Sequence, residues 1–330
     1  MDNDAYLYHY TSNQNCFNII ETKKLWLSDC LKSNDKKEFT IIIEDILNTC
    51  KTNEQVYNIL KCYINEIYEE KLDEYYSIYI LCFSNQGDLL PQWHMYANNA
   101  TGISIGFKKK LIDEFIIKLK QKEISSKKDN VYDIPFLDFF KIKYVNKEEL
   151  KNLQINYMKE ITCKINNYLS ENEIDDKELN IFLDANMSLQ DALDKYKSKC
   201  FQISELLGTK KYKDFNEFVK NEIRFLLYEG IKYKLSDFQH EEEWRICINS
   251  AAVSNNLKFN CSNDIFKAHI EFNLNELLGY DNFDDEDISD NAMLKIILGP
   301  KNLNSIKTIE SFCGINEILS DVSKTNINYK

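Results

Sequence analysis

Short aromatic or apolar runs of strand length, interrupted twice by long stretches of helical spacing, constrain this chain more than any other feature. The runs are Tyr6 to Tyr10 (YLYHY), Leu25 to Ser28 (LWLS), Ile78 to Ser84 (IYILCFS), Gly102 to Phe107 (GISIGF), Phe139 to Val145 (FFKIKYV), Trp244 to Ile248 (WRICI), Lys267 to Phe272 (KAHIEF) and Lys295 to Leu298 (KIIL). Their β-branched and aromatic content predicts about eight strands. Between Asn34 and Leu72, Phe39, Ile42, Ile43, Ile46, Val56, Ile59, Leu60, Tyr63 and Ile64 recur at three and four, the spacing of one buried helical stripe. From Asn146 to Glu229 the pattern is helical again, over 150–169, 189–207 and 215–228. Shorter helices are expected after the capping residues Thr11, Ser12 and Asn13, after Pro91, within Lys108 to Lys128, and from Asn302 to Phe312. Hairpin-like neighbours without regular βαβ alternation favour an α+β fold over a doubly wound one. The expectation is a single α+β domain over 1–330 with a helical insertion at 146–232, acting as subdomain or lid.

Composition narrows the class. Only 8 Gly and 3 Pro occur in 330 residues, so flexible linkers are not expected. A net charge of -12 argues against a large sequence-independent nucleic-acid surface while leaving room for a small basic cleft. The acidic run Asp281 to Asp290 lacks calcium-loop spacing and reads as a solvated loop. Ten scattered cysteines show no zinc-ligand spacing and read as reduced thiols. The N-terminal MDNDAYLYHYTS is no signal peptide, and no run approaches the roughly 20 apolar residues of a membrane span, so a cytoplasmic protein without a membrane partner is expected.

No GxGxxG, P-loop or HExxH motif is present. Gly102-Ile103-Ser104-Ile105-Gly106 matches the letters of a nucleophile elbow, but it lies in an alternating strand and reads as coincidence. Polar residues interrupt four of the strand regions. His9 lies between Tyr8 and Tyr10, so alternation points it away from both rings; a satisfied core histidine would explain it equally well. Trp26 and Ser28 precede Asn34, Asp35 and Glu38, a trio that fits a capping box. Ser84 ends a strand, and Gln92, Trp93 and Tyr96 follow on a short helix, where Trp93 suits a core as well as a ligand platform. Glu241, Glu242, Glu243, Trp244 and Arg245 open another strand. Alternation sets Glu241, Glu243 and Arg245 on one face, as a polar site or as an exposed salt bridge of little energy.

The ordered series LYHYTS, LWLSD, ND-x-x-E, CFS, QW-x-x-YA, G-x-x-I-G-F, K-x-Y-V, E-x-EWR and IILGP, from Leu7 to Pro300, resembles the uncharacterised bacterial family DUF2971. The usual Asn-Asp-Pro of that family is Asn34-Asp35-Lys36 here. That family in turn resembles the ADP-ribosyltransferases. The second likeness implies a mixed or antiparallel split sheet, NAD as substrate, and a catalytic set made of His9 on the first strand with Glu243 and Glu241 near the end. Ser28, Ser84 and Tyr96 compete for its middle position.

The implied chemistry is coherent. Cleaving the nicotinamide glycosidic bond passes through an oxocarbenium-like state that Glu243 would stabilise. Glu241 would position or deprotonate the acceptor, His9 with Thr11 beside it would hold a ribose, Arg245 would pair the pyrophosphate or orient Glu241, and Tyr10, Trp26 or Trp93 would stack on nicotinamide. The expected function is therefore an NAD-dependent ADP-ribosyltransferase or NAD glycohydrolase, as an anti-phage or toxin-type effector. The acceptor, protein or nucleic acid, stays open, and the helical insertion would offer a surface to a protein partner. Two rivals remain: a non-catalytic nucleotide-binding sensor or adaptor, and a metal-dependent nuclease built from His9, Asp35, Glu38, Glu241 and Glu243.

Overall fold

The structure, a computed structural model, describes residues 5–30, 39–43, 46–47, 53–68, 78–126, 137–187, 208–249, 257–262, 265–279 and 294–327. In chain order its strands are β1 (Tyr6–Thr11), β2 (Lys24–Asp29), β3 (Ile78–Ser84), β4 (Ile103–Lys108), β5 (Leu137–Lys141), β6 (Lys143–Val145), β7 (Tyr233–Leu235), β8 (Glu243–Asn249), β9 (Leu257–Ser262), β10 (Ile265–Asn273), β11 (Leu294–Leu298) and β12 (Ser320–Lys324). The helices are α1 (Asn13–Thr22), α2 (Glu54–Tyr68), α3 (Leu90–Tyr96), α4 (Lys109–Ser126), α5 (Lys147–Glu171), α6 (Asp176–Met187), α7 (Lys210–Gly230), α8 (Leu274–Leu278) and α9 (Ile306–Ile315), with a 3-10 turn at Ser236–Glu241. The fold is α+β, and the chain divides into two compact units: 1–33, 77–142 and 237–330 in one, 34–76 and 143–236 in the other.

A ten-stranded mixed sheet organises the first unit. Its order is β12-β11-β4-β1-β3-β2-β10-β9, with β8 on β3 and β5 on β8. All pairings are antiparallel except β11 with β12. β3 is the branch point. β8 pairs with it along its whole length, from Ile78 to Ser84. The opposite edge is shared: Ser84 pairs with Tyr8 of β1, whereas Ile80 and Tyr79 pair with Ser28 and Asp29 of β2. β1 and β2 therefore part along one edge of β3, and the sheet splits there.

Period-two alternation makes one face of this sheet apolar. Leu7, Leu25, Leu27, Tyr79, Leu81, Phe83, Ile103, Ile105, Phe107, Ile246, Ile248 and Ile270 form its buried core with side chains of α1, α4, α8 and α9. Each such side chain contributes about 1.5–3 kcal/mol on burial, which fixes the register, since a one-residue slip would turn the whole set to the other face. α1 shows the local logic. The Ser12 side chain accepts from the Asn15 amide, Cys16, Ile19 and Ile20 bury at three and four, and Lys23 ends the helix at φ 58°.

After α3 the chain makes a left-handed turn at Asn98, Asn99 and Ala100, with φ of 47°, 54° and 70°. Asn tolerates that region better than most residues, which explains the Asn pair. A Cβ at Gly102 would lie 2.2 Å from the Thr11 carbonyl oxygen, so only glycine fits. Buried Asn302 donates to Asn13 Oδ1 and to the Gly102 carbonyl, and ties the Gly299-Pro300 loop to this turn. The GISIGF and IILGP tags thus serve the scaffold. Ser104 is wholly buried within β4, consistent with a strand and not a nucleophile elbow.

The second unit holds α2, α5, α6 and α7 with the short parallel pair β6–β7. Asn146 and Glu149 form a capping box for α5. Val56, Ile59, Leu60, Tyr63 and Ile64 of α2 are buried, as are Ile161, Ile165 and Leu169 of α5 and Phe215, Val219, Ile223 and Leu226 of α7. The stretch expected as an insertion, 146–232, falls in this unit together with 34–76.

Some expectations change. FFKIKYV is two strands, β5 and β6, separated at Ile142 and belonging to different units. Lys109 to Ser126 is one 18-residue helix, longer than the short helix expected there. The helix expected over 189–207, the capping trio Asn34, Asp35 and Glu38, and the acidic run 281–290 lie outside the described residues. Among the described residues no helix is long and apolar enough to cross a membrane.

Candidate active site

Register fixes which side chains share the second, polar face of the sheet. Glu243 pairs with Ser84, Ser84 with Tyr8, Tyr8 with Gly106, and Gly106 with Lys295, giving one row across β8, β3, β1, β4 and β11. Arg245 opposite Cys82 forms the next row. Cys247, Ile80, Ser28, His269 and Lys258 form another, across β8, β3, β2, β10 and β9. The alternate residues Phe83, Leu81, Trp244 and Ile246 turn to the core face.

Glu243 opens β8 and is 7% exposed; Arg245, two residues on, is 1% exposed. The guanidinium grips the carboxylate twice, Nε to Oε1 at 2.7 Å and an NH2 to Oε2 at 2.9 Å. A buried charge is tolerated only with such compensation, and the bidentate fork also fixes the direction of the carboxylate.

Glu241 does not lie on the strand. It ends the 3-10 turn and is buried, and Glu242 between it and β8 takes φ 44°. The left-handed residue breaks the alternation that the sequence suggests for Glu241, Glu243 and Arg245. Ser84 secures this junction: its hydroxyl donates to the Glu241 carbonyl at 2.6 Å and accepts from the Gln86 amide at 3.0 Å. The Asn85 amide donates to the Glu242 carbonyl.

His9 pairs with core residue Ile105, and its ring meets Phe83 edge-on at 6.2 Å. It therefore leaves the sheet on the face opposite Glu243, and the two ends of the expected catalytic set do not share a face. Thr11, two residues on, takes the same side and is buried. The His9 Nδ1 lies 3.0 Å from the Cys82 carbonyl, on the edge of β3 that β1 and β2 vacate. Because a carbonyl only accepts, Nδ1 carries the proton and Nε2 is left as an acceptor. Burial pushes the imidazole below its ordinary pKa, against a smaller opposite effect of that hydrogen bond.

Tyr8 occupies a place in the row for which no functional residue is expected from the sequence. A Cβ at Gly87 would lie 2.5 Å from its ring and one at Gly106 2.7 Å, so two of the chain's eight glycines make room for it. Burial first, and Asp321 second, raise the pKa of its phenol. The alternation in YLYHY could have pointed to Tyr8, since it sets Tyr8 and Tyr10 together and His9 apart.

Tyr10 and Trp93 serve the core instead of a ligand. Trp93 is fully buried, meets Tyr10 edge-on at 4.9 Å, and donates Nε1–H to Asp88. The Tyr10 hydroxyl donates to the Gln86 carbonyl and accepts from the Leu89 amide. Tyr96 is exposed at the end of α3.

Across the split, Trp26 remains an available platform at 39% exposure. Extending the Ser28–Ile80 pairing by two residues would set Trp26 level with Cys82 on the face of Arg245, but β2 has already diverged. Its indole covers the His269 imidazole at 4.1 Å, and Ser28 stands exposed beside it. Among the described residues no three His, Cys, Asp or Glu side chains are grouped as metal ligands.

A family model described as "Protein of unknown function (DUF2971)" matches residues 92–246, just under half of the chain, from α3 into β8. No curated protein and no solved structure matches.

Proposed function

The chain belongs to the DUF2971 family through residues 92–246, and we propose that it acts on NAD as an ADP-ribosyltransferase or NAD glycohydrolase, with Glu243 as the carboxylate of the reaction. The observation that carries this reading is the buried, doubly gripped Glu243 on β8, which lies across β3 from the edge where β1 and β2 part. The divided sheet supports the likeness to ADP-ribosyltransferases.

The chemistry demands a fixed negative charge beside a ribose. The bond from C1′ to the pyridinium nitrogen breaks, and its electron pair leaves with nicotinamide. The oxocarbenium-like carbon is then taken by an oxygen of water or of another acceptor, whose proton is lost to solvent. A carboxylate held in place before the reaction stabilises the developing positive charge without reorganising, and such preorganised electrostatics usually lower a barrier more than any other single effect. Arg245 fixes Glu243 in this role. Tyr8, two strand spacings or roughly 10 Å away in the same row, supplies a ring to bound nicotinamide.

This assignment moves the first-strand contribution from His9 to its neighbour Tyr8, because His9 faces the core. Glu241 contributes its backbone carbonyl to the turn, where it accepts from the Ser84 hydroxyl, and its carboxylate keeps the role toward the acceptor in this proposal. Release of nicotinamide from NAD by purified protein tests the activity. An effector role in phage defence or toxicity is part of the same proposal: expression of the wild type, but not of Glu243→Gln, should deplete cellular NAD and slow growth. Tight binding of ADP-ribose without any release of nicotinamide would mark a nucleotide sensor instead.

A further inference from the structure

The outer arm of the sheet, beyond the split, carries a concentration of positive charge that the proposed reaction does not use. On the polar face of β2, β10 and β9 register places Lys24, Trp26 and Ser28 beside Lys267, His269 and Glu271, with Lys258 and Asn260 on the edge strand. Lys258, Lys267, Trp26 and Ser28 are exposed. Glu271 is the single carboxylate among them, and it is taken up by Lys24 at 2.6 Å, with the His269 ring nitrogen 3.5 Å from its other oxygen. Three lysines against one carboxylate form a local excess of positive charge in a chain whose net charge is -12. At its centre lies an indole whose inner side rests on the buried His269 imidazole and whose outer side faces solvent.

We propose that this arm binds single-stranded nucleic acid, with an unstacked base on Trp26 and the backbone phosphates along Lys258 and Lys267. An exposed ring between lysines matches the two recurring elements of such sites, a base-stacking surface and a cationic track. The ring favours single strands over duplex, because a base stacked within a duplex offers no free face to an indole. Lys24 keeps the platform in place through Glu271, which also borders His269 beneath the indole. Under the NAD reading a strand held here is the acceptor, one of its oxygen or nitrogen atoms forming the new bond to C1′ as nicotinamide leaves with the old bonding pair and the proton passes to solvent. That consequence rests on the NAD reading; binding itself does not.

The test is fluorescence anisotropy of the full chain with labelled single-stranded DNA and RNA of about twelve nucleotides, at low and at moderate salt. Wild type should bind, and more weakly as salt rises. Lys258→Glu with Lys267→Glu should weaken binding at least about ten-fold and flatten the salt dependence. Trp26→Ala should weaken it by about ten-fold, whereas Trp26→Phe, which keeps a ring, should retain most of it. Lys307→Glu, on α9, should change nothing. Failure of wild type to bind at low salt, equal binding by the lysine variants, or equally tight binding of duplex would overturn the inference. Adding NAD to the bound strand and weighing it tests the other reading: binding without a mass increase refutes the acceptor role and leaves the binding site standing.

Discussion

Arg245 holds both carboxylate oxygens of Glu243 from two residues further along the same strand, at 2.7 and 2.9 Å, with the pair almost wholly out of water. Arg245→Met removes the compensating cation and leaves a buried carboxylate, at an expected cost of about 3–5 kcal/mol. Glu243→Gln with Arg245→Met should recover much of that loss. Urea unfolding of the three proteins measures it; equal stabilities for single and double variants would show that the two groups are not coupled.

Gly87 and Gly106 are kept small by one ring. Alanine at either position places a methyl within 2.5–2.7 Å of Tyr8, so each substitution should destabilise by about 1–3 kcal/mol. In a Tyr8→Ala background most of that penalty should vanish. Thermal unfolding of the double-mutant cycle checks this, and additive effects would contradict the wedge geometry.

His9 gives the protein a pH dependence of known sign. Burial sets its folded pKa below the ordinary 6.5, so the unfolded chain binds the proton more readily. The contribution is constant above about pH 6.5 and declines as pH falls through the window between the unfolded and folded values. His9→Asn keeps a donor near the Cys82 carbonyl but cannot titrate. The gap in Tm between wild type and this variant should therefore shift against wild type from pH 7.5 to 5.5; a constant gap would show that His9 titrates normally.

Asp88 joins the core to the C-terminal segment. Its Oδ1 accepts from Trp93 Nε1 at 2.7 Å and Thr325 Oγ1 at 2.6 Å, and its Oδ2 from the Asn326 amide at 2.8 Å. Asp88→Ala leaves the Trp93 N–H buried without an acceptor, a cost of about 1–3 kcal/mol. Amide exchange at Asn326 should accelerate markedly, and unchanged exchange would place the anchor elsewhere.

The parts of the fold that were legible in the sequence are those with a strong period. YLYHY, IYILCFS and GISIGF became β1, β3 and β4 because alternation and β-branched content agree in them, and α5 and α7 follow their three-and-four stripes. β12, with the sequence SDVSK, has one buried residue and is a strand only because β11 pairs with it. β9 is not among the expected strands although Leu257, Phe259 and Cys261 alternate, since its face is fixed by pairing with β10. At the site, Glu243 and Arg245 were visible from their spacing. The position of Glu241 was not, because a left-handed backbone at Glu242 is invisible in a run of three identical residues. Tyr8 was hidden for a different reason. Its neighbour His9 carries the more reactive side chain, and only the long-range register of β1 against β3 and β4 shows which of the two shares a face with Glu243.

The most direct measurement of the central claim is nicotinamide release from NAD by the purified full chain, compared with Glu243→Gln and Glu243→Asp, each confirmed as folded by circular dichroism. The wild type should release nicotinamide, Glu243→Gln should lose at least about a hundred-fold in rate, comparable to removing one preorganised electrostatic group, and Glu243→Asp should fall between them. Release by Glu243→Gln at the wild-type rate, or no release by wild type with any acceptor supplied, would contradict the account.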